Sequence, residues 1–319
     1  MKKYVQIILL ACCSLFILTG CGSSNDSKST SGQKYLMLVQ NDTDGFIKQI
    51  MDAAKTQAQN QGAELTIKSA DGSSEVQLAQ LKQGVKEKYD AILCRPVDAD
   101  TAQEMEAVSK EIPIVFFNAR PSNDLMMPNR FIYVGSSELA AGKYQAEYIL
   151  EKLGSRDEIN VMILRGENGN SAAQERTLAL EETLTKSDKK INFVFNDTAN
   201  WDADTAKKMV EVFLRTKQPV DVVACNNDVM ALGALEVFEQ NGLKPLVVGI
   251  DATTEAQTAI KEDRMQFSVL QSGSQQGEYI IKAASQLVNK KRLKDIKYAN
   301  KQETAIWVPL SKIDKSNAQ

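Results

Sequence analysis

The sequence predicts an α/β protein of two lobes, each a parallel sheet covered by helices. Three observations predict it. Short runs rich in Val, Ile, Leu and Phe recur along the chain, and most are followed by a segment of helical periodicity, the mark of buried parallel strands joined by crossover helices. Five such runs end in polar clusters: Val39-Gln40-Asn41-Asp42-Thr43-Asp44, Phe116-Phe117-Asn118, Leu164-Arg165-Gly166-Glu167-Asn168-Gly169-Asn170, Ala224-Cys225-Asn226-Asn227-Asp228 and Gly249-Ile250-Asp251. Finally, the strands are too many for one compact sheet in a chain of 319 residues, so they divide between two bodies.

The chain opens with a processing signal at residues 1–20. Lys2 and Lys3 precede an apolar stretch from Val5 to Leu18, broken by Gln6, that is too short for a stable membrane span but suits a signal core. It ends in Leu18-Thr19-Gly20-Cys21, which resembles the bacterial lipoprotein box. That resemblance implies a lipid on Cys21 and cleavage before it; an ordinary signal peptide with a chance cysteine is the alternative. Residues 21–34, mostly Ser, Gly, Asn, Asp and Lys, bury nothing and read as a flexible tether.

Strands then follow at Tyr35 to Val39, Ala63 to Ile67, Ala91 to Cys94, Ile112 to Phe117, Phe131 to Val134, Val161 to Leu164, Ile191 to Phe195, Val220 to Ala224, Leu246 to Ile250 and Phe267 to Leu270. Helices separate most of them. Ile47, Ile50, Met51, Ala54 and Ala58 share one helical face, and Leu139 to Leu153 and Asp202 to Leu214 carry the same period. In open parallel sheets ligands bind beyond the carboxyl ends of the strands, where the polar clusters stand. No nucleophile with a base is among them, which describes a pocket for a polar molecule.

Composition narrows the chemistry. The chain has no histidine, so the commonest general base and the commonest metal ligand are missing. The 38 basic residues less Lys2 and Lys3 leave 36 against 41 acidic, a net charge of −5 that argues against nucleic acid as a partner. Cys94 and Cys225 fall at the ends of apolar strands in different lobes and read as buried thiols rather than a disulfide. No cysteine pair has zinc spacing, and neither metal nor cofactor is expected.

The segments Asp44-Gly45-Phe46, Ile112-Pro113-Ile114-Val115-Phe116-Phe117-Asn118, Thr198-Ala199-Asn200-Trp201-Asp202, Asn226-Asn227-Asp228-Val229-Met230-Ala231-Leu232-Gly233-Ala234 and Gly249-Ile250-Asp251-Ala252 come in a fixed order. Together they resemble the type I periplasmic sugar-binding proteins, closest to the galactose/glucose-binding branch. The resemblance implies two Rossmann-like lobes joined by a three-strand hinge that closes on one monosaccharide. It implies an N-terminal lobe of residues 35–135 plus 272–299 and a C-terminal lobe of 136–271 plus 300–319, with crossings near Gly135, Gln271 and Asn300. The partners implied are a monosaccharide and an ABC permease, with the membrane reached through the lipid on Cys21; a monomer at the outer face of the cytoplasmic membrane, or in the periplasm, is expected.

A pyranose has two rather apolar C–H faces and a rim of hydroxyls that both donate and accept. By the resemblance, Phe46 and Trp201 stack on the faces, while Asp44, Asn118, Asn170, Arg176, Asn227, Asp251 and Gln271 bind the rim. Stacking contributes about 0.5–1.5 kcal/mol per ring, and hydrogen bonds to charged groups about 1.5–3 kcal/mol each. Each residue also has a structural reading. Asp44 and Asp251 suit helix caps, as does one of Asn227 and Asp228; Phe46 suits a helix staple and Arg176 a salt bridge. Asp228 is assigned to capping or hinge support.

Departures qualify the substrate. Where the galactose/glucose branch has a histidine and an aspartate before the arginine, this chain has Asn170 and Ala172, and Asn170-Ser171-Ala172-Ala173-Gln174-Glu175-Arg176 looks like the ribose branch. Ala119 stands where a basic residue is usual, with Arg120 one place later. The calcium loop of that branch is absent, since Gly154-Ser155-Arg156-Asp157-Glu158 runs directly into a strand. The expected function is an importer receptor for a galactose- or glucose-like hexose, with ribose, inositol or another polyol in reserve and a receptor read by a membrane kinase or chemoreceptor as a second class. A glycosidase needs paired carboxylates at hydrolytic spacing, and Asp44 and Asp251, from opposite lobes, are poor candidates.

Overall fold

The computed structural model describes residues 32–319; the signal, Cys21 and most of the tether lie outside them. The described chain forms two six-stranded sheets. In the first, β1 (Lys34–Val39), β2 (Glu64–Ser69), β3 (Ala91–Cys94), β4 (Ile114–Phe117) and β5 (Phe131–Gly135) are joined by a late strand, β11 (Ala305–Trp307). The order is β11-β5-β4-β3-β1-β2, all parallel. The second holds β6 (Glu158–Arg165), β7 (Lys190–Thr198), β8 (Val222–Cys225), β9 (Leu246–Ile250), β10 (Phe267–Gln271) and β12 (Leu310–Ile313) in the order β12-β10-β9-β8-β6-β7, with only β12 antiparallel.

Why these segments are strands is visible in their burial. β3, β4 and β8 are apolar and buried on both faces, as parallel strands between two helix layers must be. Each sheet therefore has a core on either side. In the first lobe, α1 (Gly45–Asn60) and α9 (Gly273–Val288) cover the face that carries Met37, Leu93, Val115 and Ile132. They pack closely enough that a Cβ on Gly277 would lie 2.4 Å from the carbonyl oxygen of Ile50. In the second lobe, α6 (Ala203–Arg215) and α7 (Asp228–Gln240) cover Met162, Val223 and Val247, while α4 (Glu138–Leu153) and α5 (Ser171–Thr185) cover Val161, Ala224 and Val248.

The expected division at Asn300 is corrected. Residues 305–307 belong to the first sheet, because Ala305, Ile306 and Trp307 pair in parallel with Tyr133, Val134 and Gly135, and Ile306 packs beside Ile132 and Val134. Only after Val308 and Pro309 does the chain cross to the second sheet, where Leu310 and Ile313 pair with Gln271 and Ser268. The other passages between sheets run from β5 to α4 and from β10 to α9. Gln276 on α9 ties these together, donating to Ser136 Oγ at 3.4 Å and Gln271 Oε1 at 3.3 Å. Cys94 and Cys225 are free and fully buried, and desolvation pushes both thiols well above their ordinary value.

Candidate ligand-binding site

The carboxyl ends of both sheets face one cleft. Three of the helices that begin there are capped by a residue that also lines the cavity. Asp44 Oδ1 accepts from Ile47 N at 2.9 Å at the start of α1, Asn170 Oδ1 from Ala172 N at 3.0 Å at the start of α5, and Asn227 Oδ1 from Met230 N at 3.0 Å at the start of α7. A cap fixes a side chain to within one rotamer, and it satisfies a backbone donor that would otherwise be orphaned. The capping and cavity-lining readings of these residues are therefore both true of the same side chain.

The backbone at the cleft is unusual. Asn118, Asn200, Trp201, Asp251 and Ala252 all have positive φ, at 58°, 55°, 62°, 112° and 49°. Asparagine tolerates this region, but Trp, Asp and Ala adopt it at a cost of order 1–3 kcal/mol each, and such strain concentrates where side chains must be aimed. The two consecutive left-handed residues turn Trp201 back onto Gly166, where a Cβ would meet indole Cζ2 at 2.0 Å. Gly166 is thus the seat of the ring. Arg176 lies over the indole with its guanidinium carbon 5.7 Å from the ring centroid.

Charge in the second lobe is internally paired. Arg176, 3% exposed, donates to Glu138 Oε2 at 2.5 Å and to the Asn226 carbonyl at 2.6 Å. Asp251 accepts from Gln271 Nε2 at 2.8 Å. Desolvation pushes the Asp251 carboxyl up to about 7 against the pull of Arg176 and Gln271. Asp228, fully buried, is raised as well by desolvation and by the neighbouring Asp251. It accepts from Ser268 Oγ at 2.7 Å and Thr253 N at 2.8 Å, joining the start of α7 to β10 and to the loop before α8 (Thr254–Lys261). The cap of α8 is Thr253 rather than Asp251.

Asp44, Phe46, Asn118, Asn170, Arg176, Trp201, Asn227, Asp251 and Gln271 line one cavity between the lobes. The cavity shares Asp44, Phe46, Trp201, Asn227 and Asp251 with a wider groove bounded by Asn41, Asn200 and Thr254. Ile47, Ala172 and Arg95 complete the lining. Arg95 was not singled out by the sequence reading; its one signal is a charged residue directly after the wholly apolar β3 and before Pro96. Arg120 does not line the cavity. It bridges the lobes from outside it, pairing with Glu175, donating its backbone N–H to Ser171 Oγ at 3.2 Å and covering the Trp307 ring.

Among the described residues no group of three or more His, Cys, Asp or Glu is placed to hold a metal ion, and no helix is long and apolar enough to cross a membrane. The arrangement offers hydrogen bonds in both directions, two aromatic surfaces and no activated nucleophile, which suits capture without chemistry.

The periplasmic binding protein domain family matches residues 35–292. The chain belongs to the type I periplasmic sugar-binding proteins. These are non-catalytic, extracytoplasmic solute-binding components of ABC transporters, and the two-lobed fold is theirs. Among its relatives are a xylitol-binding protein of Mycolicibacterium smegmatis, 30% identical over 81% of this chain and 72% of that protein, and the D-galactose/methyl-galactoside-binding periplasmic protein of Haemophilus influenzae, 27% identical over 80% and 81%. A solved ABC transporter solute-binding protein of Bacillus halodurans with bound myo-inositol superimposes with a TM-score of 0.80, at 28% identity, over 90% of this chain and 96% of that one. The sugar-binding receptor thus shares its family with proteins named for ligands of quite different shape.

Proposed function

We propose that the chain is a lipid-anchored receptor, attached through Cys21, that closes its two lobes on one small polyhydroxylated ring compound and presents it to an ABC permease. The observation that carries this reading is the inter-lobe cavity in which Phe46 and Trp201 accompany charged and amide side chains drawn from both sheets. A six-membered ring with apolar faces and a hydroxyl rim matches such a lining, and closure brings the two walls onto it together. A galactose- or glucose-like hexose is one occupant that fits. A cyclitol is favoured as a second by Ala172, which lines the cavity where the galactose/glucose pattern has a carboxylate at the anomeric end; a cyclitol has no anomeric carbon to be held there.

The test is a thermal-shift screen of the purified full chain against hexoses, pentoses, inositols and linear polyols. A ligand bound only by the folded state raises the melting temperature by RT ln(1 + [L]/Kd), about 2.7 kcal/mol of stabilisation at a hundredfold excess over Kd. A clear rise with one compound class supports the reading and names the class. No rise with any polyhydroxylated compound overturns it.

A further inference from the structure

Arg95 is the charged cavity residue whose chemistry the neighbouring protein does not complete. It is only 8% exposed. Its Nε–H donates to Asn118 Oδ1 at 2.8 Å, and its remaining four N–H groups find no acceptor among the described residues. The other arginines at the cleft are ion-paired, Arg176 with Glu138 and Arg120 with Glu175, whereas no described carboxylate lies within ion-pair distance of Arg95. Asp44 and Glu167 act on it only at longer range, and burial pushes the guanidinium below its ordinary value.

A buried charge without a partner is costly, and a planar fork of unsatisfied N–H donors is complementary to a carboxylate, which accepts two parallel bonds and neutralises the charge. A ring hydroxyl can also accept from the guanidinium, but it leaves the charge uncompensated and needs an acceptor for its own proton. Because Asn118 Oδ1 is committed to Arg95, the same wall adds the Asn118 amide as a further donor. Hydroxyl protons elsewhere on a ligand have Asp44 and Asp251 to receive them.

We propose that Arg95 is a specificity-determining residue that reads a carboxylate, so that the receptor's ligand is a cyclic sugar acid, a hexuronate, rather than the neutral sugar. This rests on the receptor reading above and narrows its substrate class. The test is calorimetric titration of the purified full chain, at fixed pH and ionic strength, with matched pairs: D-glucose against D-glucuronate and D-galactose against D-galacturonate. In at least one pair the acid binds tenfold or more tighter than its neutral partner. In Arg95→Gln that preference falls to about one or reverses, and in Arg95→Lys part of it returns. The inference is overturned if the neutral compound binds as tightly or more tightly in every pair that binds, a result the unaltered protein gives without any variant, or if the acid preference survives in Arg95→Gln. Absence of binding by every member of the panel and by neutral polyols overturns the receptor reading itself, and the inference falls with it.

Discussion

The two walls of the cavity are built differently. The charges of the second-lobe wall are satisfied from within, although the buried indole N–H of Trp201 has no partner among the described residues: Arg176 is held by Glu138, Asp251 by Gln271, and Asn227 by its cap, with Arg176 and Gln271 each 3% exposed. The first-lobe wall has Asp44 exposed, Phe46 and Asn118 half-buried, and an arginine without a counter-ion. Groups already held in place lose little freedom when they bind, whereas incompletely paired groups gain most when a ligand arrives. The second lobe is therefore a preorganised platform, and the first is the half whose bonding the ligand completes.

The sharpest way to break this contrast is Arg176→Ala. It strands the buried Glu138 and removes the donor to the Asn226 carbonyl, so a loss of about 3–5 kcal/mol of stability is expected, together with loss of binding, in denaturant melts of the ligand-free chain. A cost near that of a surface pair would show that the platform is not rigidly paired. Trp201→Ala comes next. The fold survives while ligand affinity falls by about 2 kcal/mol or more, as for truncation of an aromatic anchor, and unchanged affinity by calorimetry removes stacking from the account.

Titration separates the walls in another way. Because the folded-state carboxyl of Asp251 is raised to about 7 from an ordinary 3.8, its contribution to stability is complete below about pH 4 and is lost as pH rises through about 7. Arg176, Gln271, Asp44, Glu138 and the likewise raised Asp228 are the groups that act on it or share its shift. The ligand-free melting temperature should fall across that window, and Asp251→Asn should flatten the slope; an unchanged slope would assign it elsewhere. The smallest effect is Asp44→Ala, which removes a helix cap for about 1 kcal/mol of stability along with a cavity acceptor. A melting temperature that stays put would mean that Asp44 serves the cavity alone.

Much of this was legible in the sequence, and the reasons differ by element. β3 and β9 were placed residue for residue because doubly buried strands leave uninterrupted apolar runs between turn signals. β11 was misplaced because three residues carry too short a pattern to say which sheet edge they complete. Within the site, amides and carboxylates at strand ends announced themselves, since polar residues directly after a buried run need a reason to be there. Arg95 did not, because one sequence gives no measure of burial and a lone arginine ordinarily reads as solvated. The left-handed turn at Trp201 and Ala252 was equally hidden: neither residue type favours positive φ, so only the packed surroundings impose it.

The caps at the mouth of the cleft have a consequence for anyone wishing to retune this protein as a biosensor. Asp44, Asn170 and Asn227 each hold a helix start as well as facing the cavity, so exchanging them to change selectivity also loosens the scaffold. Ala172 lines the same cavity without a side chain that bonds anything else. Ala172 is 5% exposed, so libraries directed to that position leave the three caps intact and test directly how large a side chain the cavity wall admits.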